Sequence, residues 1–220
     1  MKSSILALLL TFSSVTAILA QNNADKEAYT KMITERSAKI VTNLGITDPK
    51  KTEKVTIIIR NQYSNLNDIY AARDIRVKAI KEKNKDNKVA RDSALAKDSR
   101  MVEASLVKLH KKYISKLSAQ LTNEQVELVK NGMTYNVLPI TYKAYQEQIL
   151  TLTEDQKKQI LIWLTEAREH AMDAESSDKK HAWFGKYKGR INNYLSAAGY
   201  DLKKEGIAWE KRRKAKAKTN

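Results

Sequence analysis

Cysteine is absent from this 220-residue chain. That excludes disulfides, a thiol nucleophile and a lipid-modified cysteine, so stability has to come from an apolar core. Proline occurs twice and glycine six times, which excludes loop-rich and collagen-like architectures and leaves helix as the default. No G-x-S-x-G elbow occurs, which removes the usual sequence signal of a serine hydrolase. Long apolar runs are missing as well. Ile5–Leu10 and Val15–Leu19 are separated by polar residues from Thr11 onward, and neither approaches the roughly 20 apolar residues that span a bilayer as a helix.

That first apolar segment, opened by Lys2 and closed by the small residues Ala17 and Ala20, reads as a cleaved secretory leader over residues 1–20, cut before Gln21. A soluble periplasmic or secreted product is expected, with no transmembrane segment once the leader is gone. The remainder is expected to be a single helical domain over 21–205 followed by a basic tail over 206–220. Net charge is +16, which steers anionic partners toward the chain. Nucleic acid is the default partner of a basic cytosolic chain, but export argues against it. Anionic polysaccharide, anionic lipid head groups and acidic proteins remain, beside the simpler reading that charge serves solubility. No cofactor motif is present, and no cofactor is expected.

Hydrophobic spacing predicts an all-α, multi-helix bundle. Tyr29, Ile33, Ile40 and Leu44 recur at helical intervals, Gly45 offers a stop, and Asp48-Pro49 reads as an N-cap followed by proline in the first turn. Two further stripes follow: Val55, Ile59, Tyr63 and Leu66, then Val102, Leu106, Leu109, Tyr113 and Leu117. A single helix over 49–119 would be about 105 Å long at 1.5 Å per residue. A long hairpin turning near Asn84–Asn87 is therefore expected, with one extended helix as the alternative. Pro139 is expected to open a short helix through Ile149. Ser176-Ser177-Asp178 marks the turn of a C-terminal helix-turn-helix, and Gly199 with Tyr200 suggests a Schellman-type end. The block Lys211–Lys218 reads as a frayed charged tail.

Leu121-Thr122-Asn123-Glu124-Gln125 and Leu152-Thr153-Glu154-Asp155-Gln156 share the pattern L-T-x-x-Q, in which threonine and glutamine can satisfy each other's helix-terminal N–H groups. The pair resembles the motifs of the Spy and CpxP group of periplasmic helical chaperones. Gly132-Met133-Thr134-Tyr135-Asn136-Val137-Leu138-Pro139, the run Trp163–Ala174, and the run His181–Leu195 (HAWFGKYKGRINNYL) together resemble a family of exported Bacteroidota proteins, the domain-of-unknown-function family numbered 3826. That resemblance implies a setting of polysaccharide utilisation, pectin-type glycans included, and brings no catalytic residues with it.

The stretch Trp163–Trp209 holds all three tryptophans, two of the three histidines and four of the six glycines. Within it, Glu166 and His170, and Glu169 and Asp173, are four apart and share helix faces. Such carboxylate–histidine sets can bind a metal or move a proton, but the spacing matches no zinc motif and no metal is expected. His181 can join His170 if the turn folds back. Trp183, Lys186, Tyr187 and Arg190 combine rings that stack on sugar faces with cations that hold carboxylates. Packing is the competing reading: Trp183, Phe184, Tyr187, Ile191 and Tyr194 also form a core stripe, with Gly185 and Gly189 admitting a close neighbour. His170, His181, Trp183, Lys186, Tyr187 and Arg190 are the candidate ligand-binding residues, and catalytic residues are unknown. The expected function is a non-enzymatic exported binding protein, partnered by an anionic glycan or by an exported protein of the same system. A Spy-like chaperone and a glycan hydrolase or lyase are the alternatives.

Overall fold

The computed structural model of the protein describes residues 25–218, which form eight α-helices and no strand. The helices are α1 (25–42), α2 (Pro49–Lys83), α3 (Lys88–Ser118), α4 (Asn123–Met133), α5 (Val137–Gln148), α6 (Glu154–Met172), α7 (Ser177–Ala197) and α8 (Leu202–Lys218). The leader expected over 1–20 lies outside the described residues. None of the described helices is long and apolar enough to cross a membrane. The chain divides into two compact units, one ending at Asn65 and the other beginning at Leu66.

In the first unit, the spacing of Ile33, Ile40 and Leu44 on α1 and of Val55, Ile59 and Tyr63 on α2 buries all six side chains. Tyr29 Oη donates to the Tyr63 carbonyl at 3.2 Å. Gly45 ends the connection from α1 at φ +65°, a conformation that costs a residue without Cβ nothing. Asp48 Oδ1 then accepts from the Lys50 amide at 2.9 Å, and Pro49 opens α2.

In the second unit, the hairpin turn falls at Asn84–Asn87, between α2 and α3. Its lack of glycine and proline is explained by the two asparagines. Asn84 Nδ2 donates to the Ile80 carbonyl at 2.8 Å, and Asn87 Oδ1 caps α3 by accepting from the Ala90 amide at 3.0 Å. Both L-T-x-x-Q motifs form complete capping boxes, Thr122 with Gln125 on α4 and Thr153 with Gln156 on α6. Helix α5 begins two residues before Pro139, after Tyr135 and Asn136 at φ 58° and 56°. Proline in the third position is tolerated because the first-turn N–H groups have no partner within the helix.

Helices α6 and α7 pack against each other along much of their length. Ile160, Leu164, Ala167 and Ala171 on α6 meet Phe184, Tyr187, Ile191 and Leu195 on α7 in one core, closed by Leu138, Tyr145 and Ile149. Ser176 caps α7 by accepting from the Lys179 amide at 3.2 Å. Lys180, only 5% exposed, closes the end of α6 by donating to the Ala171 and Met172 carbonyls, both at 3.0 Å. At the far end of α7, Gly199 (φ +93°) and Tyr200 send their amides back to Ser196 and Leu195 at 3.0 and 3.1 Å, a Schellman end.

The block Lys211–Lys218, expected to fray, is helical. Helix α8 continues to Lys218, its start capped by Asp201, which accepts from the Lys203 and Lys204 amides. Arg212 donates to the Glu147 and Gln148 carbonyls at 2.8 and 3.0 Å. The last carbonyls of α5 thus anchor a helix that charge repulsion alone would loosen.

Candidate functional site

A cleft of about 600 Å³ is lined by α2 after Leu66, α3, α6 and α7. Tyr70 and Arg73 come from α2, Val102, Glu103, Leu106, His110 and Lys111 from α3, Glu169 and His170 from α6, Asp173 and Glu175 from the turn, and Lys179 and Trp183 from α7. Its position follows from the hairpin turns at Asn84–Asn87 and Ser176, which bring residues distant in sequence to one wall.

The centre of this wall is His110. Its Nδ1 lies 2.7 Å from Asp173 Oδ2 and its Nε2 lies 3.4 Å from Glu169 Oε2. Hydrogen bonds to these two carboxylates raise the imidazole to about 9 against the opposing effect of burial, so at neutral pH it is a cation donating from both nitrogens. Burial alone would raise Glu169. The His110 bond, together with the charges of Lys130 and Arg168, overcomes it and holds the carboxyl at about 2. Lys130 Nζ is 3.3 Å from Glu169 Oε1. Arg168 is 2% exposed and donates to Glu127 at 2.6 Å, Glu169 at 3.0 Å and Asn131 at 2.9 Å. Beside this network Tyr70 Oη donates to the Asp173 carbonyl at 2.7 Å. Burial, then the nearby charges of Glu175 and Asp173, push the phenol up to about 12. Arg73 spans Asp74 at 2.6 Å and Glu175 at 2.5 Å.

Most carboxylates of the cleft are therefore already neutralised, and both His110 nitrogens are engaged. Among the described residues no group of three or more histidine, aspartate or glutamate side chains is placed to hold a metal ion. Lys111 and Lys179 are exposed and make no ion pair among the described residues, facing only Glu103 as an unpaired carboxylate of the lining.

The six sequence candidates separate. His170 and Trp183 line the cleft and stack at 4.3 Å between centroids, with Lys186 Nζ 5.2 Å over the same indole. Lys186 is exposed, so its flexible chain can swing aside. Tyr187 is buried in the α6–α7 core, which removes it as a ligand contact, because it falls on the inward stripe with Phe184 and Ile191. His181 lies outside the cleft and stacks on Tyr135 at 5.4 Å. Arg190 covers Trp163 at 4.5 Å and reaches Glu166 at 3.7 Å, so it too is engaged elsewhere. The expected close-approach role of Gly185 and Gly189 is also corrected: a Cβ at either would meet nothing within 4 Å.

Sequence reasoning missed His110, Tyr70, Arg73 and Arg168. A signal for His110 was available. Val102, Leu106, His110, Tyr113 and Leu117 advance by fours and threes, so the histidine sits within an apolar stripe where a polar group needs a partner. Arg168 likewise interrupts the stripe of Leu164 and Ala171. Their partners, on other helices or at turns, cannot be read from local spacing.

The sequence matches no curated protein. Residues 30–215 match the family described as a protein of unknown function (DUF3826), and the chain belongs to that family.

Proposed function

We propose that this protein is a non-enzymatic, exported binding protein that takes an anionic glycan in the cleft around Trp183. The observation that carries this reading is the half-exposed Trp183 in a cleft whose Lys111 and Lys179 make no ion pair among the described residues. Trp183 lies beside His170, Lys186 and Lys179, with Lys111 on the facing helix. A ring supplies an apolar platform for a sugar face, and an ammonium group supplies a partner for a uronate carboxylate. The held charges of the network weigh against acid–base chemistry. A group that exchanges protons during turnover works best with a pKa near the operating pH, whereas His110 is held at about 9 and Glu169 at about 2. The L-T-x-x-Q residues, which suggested a chaperone, are used in helix capping.

Calorimetric titration with oligogalacturonate and with a neutral oligosaccharide of the same length, at two salt concentrations, tests the reading. Binding of the acidic ligand that weakens with salt is expected. No heat with any acidic glycan, or equal affinity for the neutral one, overturns it.

A further inference from the structure

Helix α8 presents a second charged surface. Its 17 residues carry Lys203, Lys204, Lys211, Lys214, Lys216, Lys218, Arg212 and Arg213 against Glu205 and Glu210. Some of this charge is committed: Arg212 to the end of α5, Arg213 over Trp209 at 5.1 Å, and Lys214 to Glu210 at 2.7 Å. Lys203, Lys204 and Lys211 are exposed and make no ion pair among the described residues. Left to itself, such a sequence would repel itself and fray. Here it packs against α5. Arg212 anchors it to α5, Gln148 Nε2 donates to the Leu202 carbonyl at 3.2 Å, and Gly206 sits where a Cβ would lie 3.4 Å from the Gln148 amide. Ordering lysine side chains near one another is electrostatically unfavourable unless a counter-charge is supplied.

We infer that α8 is a docking surface for a linear polyanion, and that its occupant is an acidic polysaccharide chain, matched to its unpaired lysines by charge. The identity of the occupant rests on the proposed function; the polyanion requirement rests on α8 alone. A bilayer fits less well, because Ile207 is the one strongly exposed large apolar side chain of this helix, and interfacial helices need a continuous apolar face to bury. A flexible anionic chain needs only cations at intervals along a helix, and a longer chain meets more of them at once.

The test compares a short oligogalacturonate of three units with polygalacturonate, on the full chain and on the triple variant Lys203→Gln/Lys204→Gln/Lys211→Gln. Glutamine at exposed helix positions keeps helix propensity and removes charge. The variant is expected to bind the trimer as the wild type does and to lose on the order of tenfold in affinity for the polymer at low salt, less at high salt. Equal polymer affinity in variant and wild type, with trimer binding intact, overturns the inference and leaves the cleft reading standing. Polymer binding that depends on α8 without any trimer binding supports α8 and overturns the cleft. Duplex DNA or phosphatidylserine vesicles that bind as tightly as polygalacturonate overturn the glycan assignment.

Discussion

Asp173 Oδ2 and His110 Nδ1 meet at 2.7 Å although 63 positions separate them in the chain. The pair joins the middle of α3 to the residue that caps α6. Because Glu169 holds the other ring nitrogen, the imidazole gains two partners that it lacks in the unfolded chain. Its folded pKa, about 9, lies above the ordinary value of 6.5. The stabilisation is therefore complete below pH 6.5 and fades as pH rises through 9. For Glu169 the folded value of about 2 lies below its ordinary 4.5, so its share is complete above pH 4.5 and fades toward pH 2. The network should contribute most between pH 4.5 and 6.5. Urea unfolding of the wild type and His110→Gln at pH 6 and pH 10 checks this. The variant should be less stable by about 1–2 kcal/mol at pH 6, and the gap should close at pH 10. A gap independent of pH would mean that His110 contributes by packing alone.

Arg168 gives a second prediction. A guanidinium that is 2% exposed and bonded to Glu127, Glu169 and Asn131 is costly to remove, since its partners keep their charge after truncation. Arg168→Met should lose about 3 kcal/mol. Arg168→Met combined with Glu169→Gln, which removes charge from both sides, should recover part of the loss. Denaturant midpoints of the single and double variants, read as a mutant cycle, give the coupling. Strict additivity would show that the ion pair carries no net energy.

The cleft explains what was and was not legible in the sequence. Local signals were enough for the helices, because caps and stops act within one turn: Thr122 with Gln125, Ser176 with Lys179, and Gly199 with Tyr200 all behave as their spacing implies. His170 and Trp183, which line the cleft, stood out in the sequence because a histidine and a tryptophan near a turn are conspicuous. Their stacking was not readable, because it depends on the angle between α6 and α7. Tyr187 was ambiguous for a related reason. One face of α7 supplies both core and site, and a rotation of less than one residue's step decides which. Gly185 and Gly189 misled because small residues at four-residue spacing permit a close contact without requiring one.

Trp183 is the residue on which the binding reading depends. Its ring is partly buried and packs at the edge of the α6–α7 core, so Trp183→Ala should cost about 1–2 kcal/mol of stability and leave the helix content unchanged. Oligogalacturonate affinity should fall at least tenfold, whereas Arg190→Ala, removed from the cleft, should leave it unaltered. Titration calorimetry beside circular dichroism separates the two effects. Equal losses in both variants would point to a surface-wide charge effect rather than a site.

Arg212 supplies the last prediction, because it tests whether α8 is built into the fold. The guanidinium reaches the Glu147 and Gln148 carbonyls, which lie in the last turn of α5 where carbonyls lack helical partners. Its charge also opposes the negative end of that helix dipole. Arg212→Ala removes both effects, whereas Arg212→Lys keeps the charge and loses the planar pair of donors. Hydrogen exchange over 207–218 should accelerate about tenfold in the alanine variant, equivalent to about 1.4 kcal/mol of local stability, and by less in the lysine variant. Exchange in α6 and α7 should stay constant, since their core does not include Arg212. If the alanine variant exchanges like the wild type, the contacts of Leu202 and Gly206 with Gln148 are sufficient to hold α8. In that case its lysines would remain displayed without the arginine. If exchange rises throughout α5–α8, the arginine supports the whole C-terminal core, and the helix cannot be treated as an independent docking arm.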